Sequence, residues 1–281
     1  MNIDQQFKYA LSKIVFEGTT TQGRTATDRH RLLTGINLEY DCSDGTMGAF
    51  TLRKNNPDLA IAETLAFLMG AGTVQQLEVM HPALKLWQAW AADNGSLGGV
   101  YGDAFHSQYG KIISGLKVDP LSTHHRMTTL LPSKFPLPGE KYNTNVLHDK
   151  FSLMPCLHSY HFLSDGEYLT LHATQASGDM PVGVFPHNVY QVQFMLLLTA
   201  KLTGLKPLNA VHHIHDAHIY TNQLEAVEEM MGRDPLDQKI NLEFADFHYS
   251  DLVFEKLSPV SEWVKTSSFE THDAIKMNVD S

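Results

Sequence analysis

Cys156 is the residue of this 281-residue chain with the clearest capacity for nucleophilic chemistry. It follows a proline and opens the stretch MPCLHSYHFLSDGEYLTLHATQASGDMPVGVFPHN, Met154 to Asn188. A thiol becomes a strong nucleophile once its thiolate is stabilised. The same residue type also serves as a small buried hydrophobe, so Cys156 alone leaves both readings open. Glu63 is the sole ionisable group in the apolar run LAIAETLAFLM, which marks it for burial. An isolated buried carboxylate is expected to have a raised pKa, or to be tied to nearby backbone. Thr19 to Arg31 carries Arg24, Arg29 and Arg31 and reads, on its own, as a solvated basic loop. His212, His213, His215 and His218 invite a metal reading, since on a strand His213 and His215 would share a face. No helical carboxylate motif or cysteine pair completes a coordination sphere there, so no metal is expected.

These residues need elements to hold them. Asp4 to Glu17 has the helical period, with Phe7, Ala10, Leu11, Ile14 and Val15 on one face and Gly18 as stop. Leu32 to Tyr40 alternates as a strand. Asn56-Pro57 opens the helix that carries Glu63. Leu84 to Ala92 is helical, with Trp87 and Trp90 three apart, and Ile112 to Leu116 suggests another helix. Residues 132–150 lack periodicity and read as a long surface loop. Cys156 to Leu163 and Tyr168 to Thr174 form a hairpin across Ser164-Asp165-Gly166-Glu167. Tyr190 to Leu205 is the most hydrophobic helix, and Thr221 to Met231 a further one. A single domain over 1–281 is expected, without repeats.

Composition excludes several classes. A net charge of -10 argues against a nucleic-acid polymer as partner, though not against a mononucleotide. Two cysteines make no disulfide framework and fit a reducing compartment. No apolar run approaches the roughly 18 residues of a membrane span, and the start lacks a signal-peptide pattern. A cytoplasmic protein without membrane contact is expected.

The ordered motifs resemble the thymidylate synthase family. There a Pro-Cys precedes a hairpin, then Gln-Arg-Ser, a glycine-containing loop and an asparagine; Gln175, Ser177, Asp179, Gly183 and Asn188 stand at the matching places. ADNGSLGGVYG is similar to the family's DENGDLGPVYG. That match puts Trp87 and Trp90 beside the folate-facing wall and Tyr101 near the reacting carbon. Gly23-Arg24-Thr25 resembles the loop whose arginine holds the nucleotide phosphate. DPLSTHHRM resembles DPDSRRI, whose arginines reach the partner's phosphate across a dimer interface; Arg126 remains, and His125 replaces the other. His218 and Tyr220 match a His-x-Tyr that bonds the ribose, and residues 269–281 resemble the closing tail. Two departures stand out: Ala176 replaces the family's arginine, and GVFPHN is one residue longer than GLPFN.

The resemblance implies an α+β fold, a large, mostly antiparallel sheet packed on helices, and a homodimer. It implies one-carbon transfer from methylenetetrahydrofolate to C5 of dUMP. Cys156 would add at C6 of the uracil, and Tyr101 with water would help remove the C5 proton. Glu63 would relay protons and Asp179 would contact the pterin. Asn188 suits uracil because one amide can meet both O4 and N3–H, whereas an aspartate there would suit cytosine. The polar ending Asn278-Val279-Asp280-Ser281 favours water at the site, hence 5-hydroxymethyl-dUMP over thymidylate. A thymidylate synthase making dTMP, a dCMP hydroxymethylase and a catalytically silent nucleotide-binding homologue are the alternatives. Relatives of this kind serve phages with modified bases.

Overall fold

The computed structural model describes residues 1–22 and 27–278. Its helices are α1 Ile3–Glu17, α2 Pro57–Leu68, α3 Val74–Met80, α4 Gly102–Val118, α5 Tyr142–Leu147, α6 Val189–Thr203 and α7 Leu224–Gly232. The strands of the main sheet are β1 Thr19–Gln22, β2 Asp28–Leu32, β3 Ile36–Asp41, β4 Arg126–Thr128, β5 Leu157–Ser164, β6 Tyr168–Asp179 and β7 Lys206–Tyr220. They lie in the order β1-β2-β7-β6-β5-β4, and β3 shares the β7 edge with β2. Of these pairings only β6–β7 is parallel. A parallel pair needs a crossover, and α6 supplies it. That helix is buried almost all round, as its apolar centre at residues 194–198 requires, with Gln191 and Gln193 buried among its apolar residues. Gly204 ends it in the left-handed conformation at φ 82°.

Helices cover one face of the sheet. The capping box of α1, in which Asn2 and Gln5 each bond the other's backbone, sets its start, and Phe7, Ala10, Leu11 and Ile14 enter the core. α2 starts on the Asn56 cap, as the sequence indicates, and is buried on every side. On β7 the alternation sends Ala210, His212 and Ile214 inward and leaves His213 and His215 on the other face. The four histidines are thus split between the two sides. Among the described residues no helix is long and apolar enough to cross a membrane.

Several expected elements take a different form. The strand expected over Leu32 to Tyr40 breaks at Gly35, whose φ is 67° and where a Cβ would sit 2.7 Å from the Ile214 carbonyl oxygen. The segment expected as a basic loop forms β1 and β2, because Arg29 to Leu32 find backbone partners on the far-removed β7. Ile112 to Leu116 is only the centre of the 17-residue α4. The tryptophan segment is a 3-10 helix, Pro82–Trp90. Residues 132–150 contain a short turn and α5, around buried Asn145, which donates toward the Glu140 and Ser152 carbonyls.

Candidate active site

Cys156 lies just before β5, with its backbone held from two sides. Its N–H donates to the Tyr101 hydroxyl at 2.9 Å, and its carbonyl accepts from Ala176 N–H at 2.8 Å. Its half-buried side chain lines a cleft of about 400 Å³. Tyr101 caps α4 with φ 60°, a strained value for a residue with a Cβ. Burial, reinforced by the Cys156 thiol, holds its phenol pKa well above the ordinary range, so the hydroxyl keeps its proton. Phe67, Trp87, Trp90 and Phe105 give the cleft an aromatic wall, with Trp87 edge-on to Phe67 and to Trp90.

Glu63 stands at the base of this wall, fully buried. Trp87 Nε1 donates to its Oε2 at 2.6 Å, Gln191 Nε2 to its Oε1 at 2.8 Å, and His187 Nε2 lies 3.2 Å from Oε1. Burial alone would raise its pKa, as the sequence reading expects. The attraction of His187 and the hydrogen bonds from His187, Trp87 and Gln191 outweigh burial, so the pKa is lowered, contrary to the expected rise. With a folded pKa below the ordinary 4.5, the carboxylate stabilises the fold above pH 4.5 and loses that contribution as pH falls through the lower value. Carbon-13 NMR of the Glu63 carboxyl should therefore find it mostly ionised at pH 4.5. A midpoint above that would contradict the assignment.

Asn188, at the start of α6, continues the network. Its Nδ2 donates to Gln191 Oε1 at 2.8 Å and its Oδ1 accepts from Gln175 Nε2 at 3.1 Å. Gln175 also donates to the Ser177 carbonyl at 2.8 Å and lies 2.9 Å, through Oε1, from Nε2 of the buried His212. Tyr40 Oη lies 3.1 Å from His212 Nδ1.

Cys156, Glu63, Tyr101, Asn188, Trp87, Trp90 and Gly183 all line the one cleft. Gln175 does not; it is buried behind Asn188. Ser177 and Asp179 on β6 face Asp216 and His218 on β7 in register. Ser177 Oγ is 3.2 Å from Asp216 Oδ2, and Arg29 and Arg31 both pair with that carboxylate, at 3.1 and 2.8 Å. Burial lowers the His218 pKa, its Nδ1 lies 3.0 Å from the Asp216 carbonyl, and Tyr220 packs edge-on against it. Asp179 accepts from Gln223, whose amide also donates to the carbonyl of Asn278 in the tail. His125, which replaces one of the arginines in sequence, is turned away from any phosphate. It is buried and bonded to the Asp119 carbonyl at 2.8 Å, and its ring packs against Gly115. Arg126 lines a separate hollow with His161, His172 and His213 on the uncovered face of the sheet. Arg24 and Val279 to Ser281 lie outside the described residues.

His187 and Gln191 escaped the sequence reading. The available signal was spacing: Gln191 is one helical turn beyond Asn188 and therefore shares its side of the helix.

A buried acid, a cysteine and an amide thus meet around one aromatic cleft. Residues 5–280 match the family model described as thymidylate synthase. The chain is 30% identical to the thymidylate synthase of Aliivibrio fischeri, over 97% of this chain and 98% of that protein. The chain belongs to the thymidylate synthase family, whose members carry a one-carbon unit from methylenetetrahydrofolate to C5 of dUMP. It is a one-carbon transferase of α+β fold.

Proposed function

We propose that this enzyme converts dUMP to 5-hydroxymethyl-dUMP, with Cys156 as the covalent catalyst. The Cys156 thiolate adds to C6 of the uracil, and the electron pair released onto C5 attacks the one-carbon unit that methylenetetrahydrofolate supplies. Donor groups on Asn188 steady the O4 enolate. The aromatic wall of Trp87, Trp90 and Phe67 suits the flat rings of a folate. Tyr101, through water, helps carry away the C5 proton. Tetrahydrofolate departs and leaves an exocyclic methylene on C5. Water then adds to that carbon, its proton passing to His187; the electron pair re-forms the C5–C6 double bond as the thiolate leaves C6.

The observation that carries this ending is the His187–Glu63 pair, which puts a base held by a carboxylate into the cleft. A thymidylate product is the second reading, favoured by the name of the Aliivibrio fischeri relative. Product mass spectrometry with dihydrofolate absorbance separates the two. Hydration gives 5-hydroxymethyl-dUMP and no dihydrofolate, whereas stoichiometric dihydrofolate with dTMP would reject the hydroxymethyl product.

The nucleotide runs from Asn188 past His218 and Tyr220 at the sugar toward Ser177. In place of an arginine at Ala176, the phosphate is met by Arg29 and Arg31, and the resemblance assigns Arg24 to the same phosphate. Arg126 serves the second subunit of a homodimer formed through the uncovered sheet face. Asp179, held by Gln223 against the tail, meets the folate. The described part of the 269–281 tail, up to Asn278, closes over the site of a single-domain enzyme. Arg29→Ala is expected to raise the KM for dUMP about tenfold, the loss of one charge-assisted hydrogen bond. Equal use of deoxyuridine and dUMP by the unaltered enzyme would contradict phosphate anchoring.

A further inference from the structure

We infer that Gln191 sets the choice of base, by locking the Asn188 amide in the orientation that reads uracil and refuses cytosine. The inference rests on Asn188 being the group that reads the base. Two anchors of fixed polarity hold that amide from opposite sides. A carboxylate can only accept, so Glu63 obliges Gln191 to present Nε2 to it and Oε1 to Asn188. A backbone carbonyl can only accept, so Ser177 obliges Gln175 to present Nε2, which then also meets Asn188 Oδ1.

Asn188 must therefore direct Nδ2 toward Gln191 and Oδ1 toward Gln175. The second N–H of Nδ2 and the second lone pair of Oδ1 remain for the base, as a donor for O4 and an acceptor for N3–H. Cytosine has the reverse pattern, a donor at N4 and an acceptor at N3. Turning the amide over to suit it would set oxygen against Gln191 Oε1 and nitrogen against Gln175 Nε2. Gln191 cannot follow without aiming its own oxygen at the Glu63 carboxylate.

The far end agrees in direction. Gln175 Oε1 accepts from Nε2–H of His212, which is buried with its pKa lowered to about 3 and therefore neutral. Tyr40 donates to the remaining His212 nitrogen. One polarity thus runs from Tyr40 through Asn188 to Glu63.

The test measures dissociation constants for dUMP and dCMP by calorimetry, on the unaltered enzyme and on Asn188→Ala, Gln191→Met and Gln191→Glu. Methionine fills the space without an acceptor, whereas glutamate keeps an oxygen toward Asn188 and, protonated by its closeness to the Glu63 carboxylate, can donate to Glu63 in place of the amide. The dCMP-to-dUMP ratio is expected to fall at least about tenfold in Gln191→Met and to stay within about threefold of the unaltered ratio in Gln191→Glu. An unchanged ratio in Gln191→Met overturns the inference. If that variant binds neither nucleotide, Gln191→Glu decides alone, and a ratio as low as that of Asn188→Ala overturns it. A ratio unaffected by Asn188→Ala refutes instead the reading of Asn188 on which the inference stands.

Discussion

Cys156→Ser is expected to lower kcat by on the order of 10⁴-fold or more, with the fold and dUMP binding retained. A serine hydroxyl is scarcely ionised near neutral pH, and without attack at C6 the uracil C5 has no electron density to offer. The backbone of residue 156 is held through its N–H and carbonyl, by Tyr101 and Ala176, so changing sulfur to oxygen disturbs neither bond. Single-turnover kinetics with calorimetric dUMP binding would check both halves. A rate within about tenfold of the unaltered enzyme would remove Cys156 from the chemistry.

Glu63→Gln is expected to reduce kcat by about 10²- to 10³-fold while dUMP still binds. The cause is a mismatch of donors. Trp87 Nε1, Gln191 Nε2 and His187 Nε2 all converge on the carboxylate. An amide can accept on one atom only, so its own NH₂ must face a donor. That leaves a buried donor unmet, at about 1–3 kcal/mol of stability. A thermal melt lowered together with kcat fits this account. An unaltered rate would mean that the Glu63 carboxylate takes no part in the reaction.

The candidate site was largely legible in the sequence because it sits in short runs of distinctive order. Pro-Cys before a hairpin, the NG-LG-VYG run and the asparagine after a glycine loop sufficed to place Cys156, Tyr101 and Asn188 around one cleft. The partners of Glu63 were not legible. Gln191 lies 128 positions away, so local sequence revealed only burial and therefore the wrong sign of its pKa shift. The basic segment misled for a similar reason. Arg29 and Arg31 belong to a strand only because β7, nearly two hundred residues later, offers the edge they pair with. His125 stands in sequence where the family has an arginine, and only packing under α4 shows that it has been turned inward.

The most direct test of covalent catalysis at Cys156 uses 5-fluoro-dUMP together with methylenetetrahydrofolate. Fluorine at C5 cannot leave as a proton, so the reaction should stop with sulfur, nucleotide and folate joined. Peptide mass spectrometry is expected to find that combined mass on the peptide containing Cys156. The other thiol, Cys42, is fully buried with its pKa pushed up, and should stay unmodified. No added mass on Cys156, or the same mass on Cys42, would contradict the account.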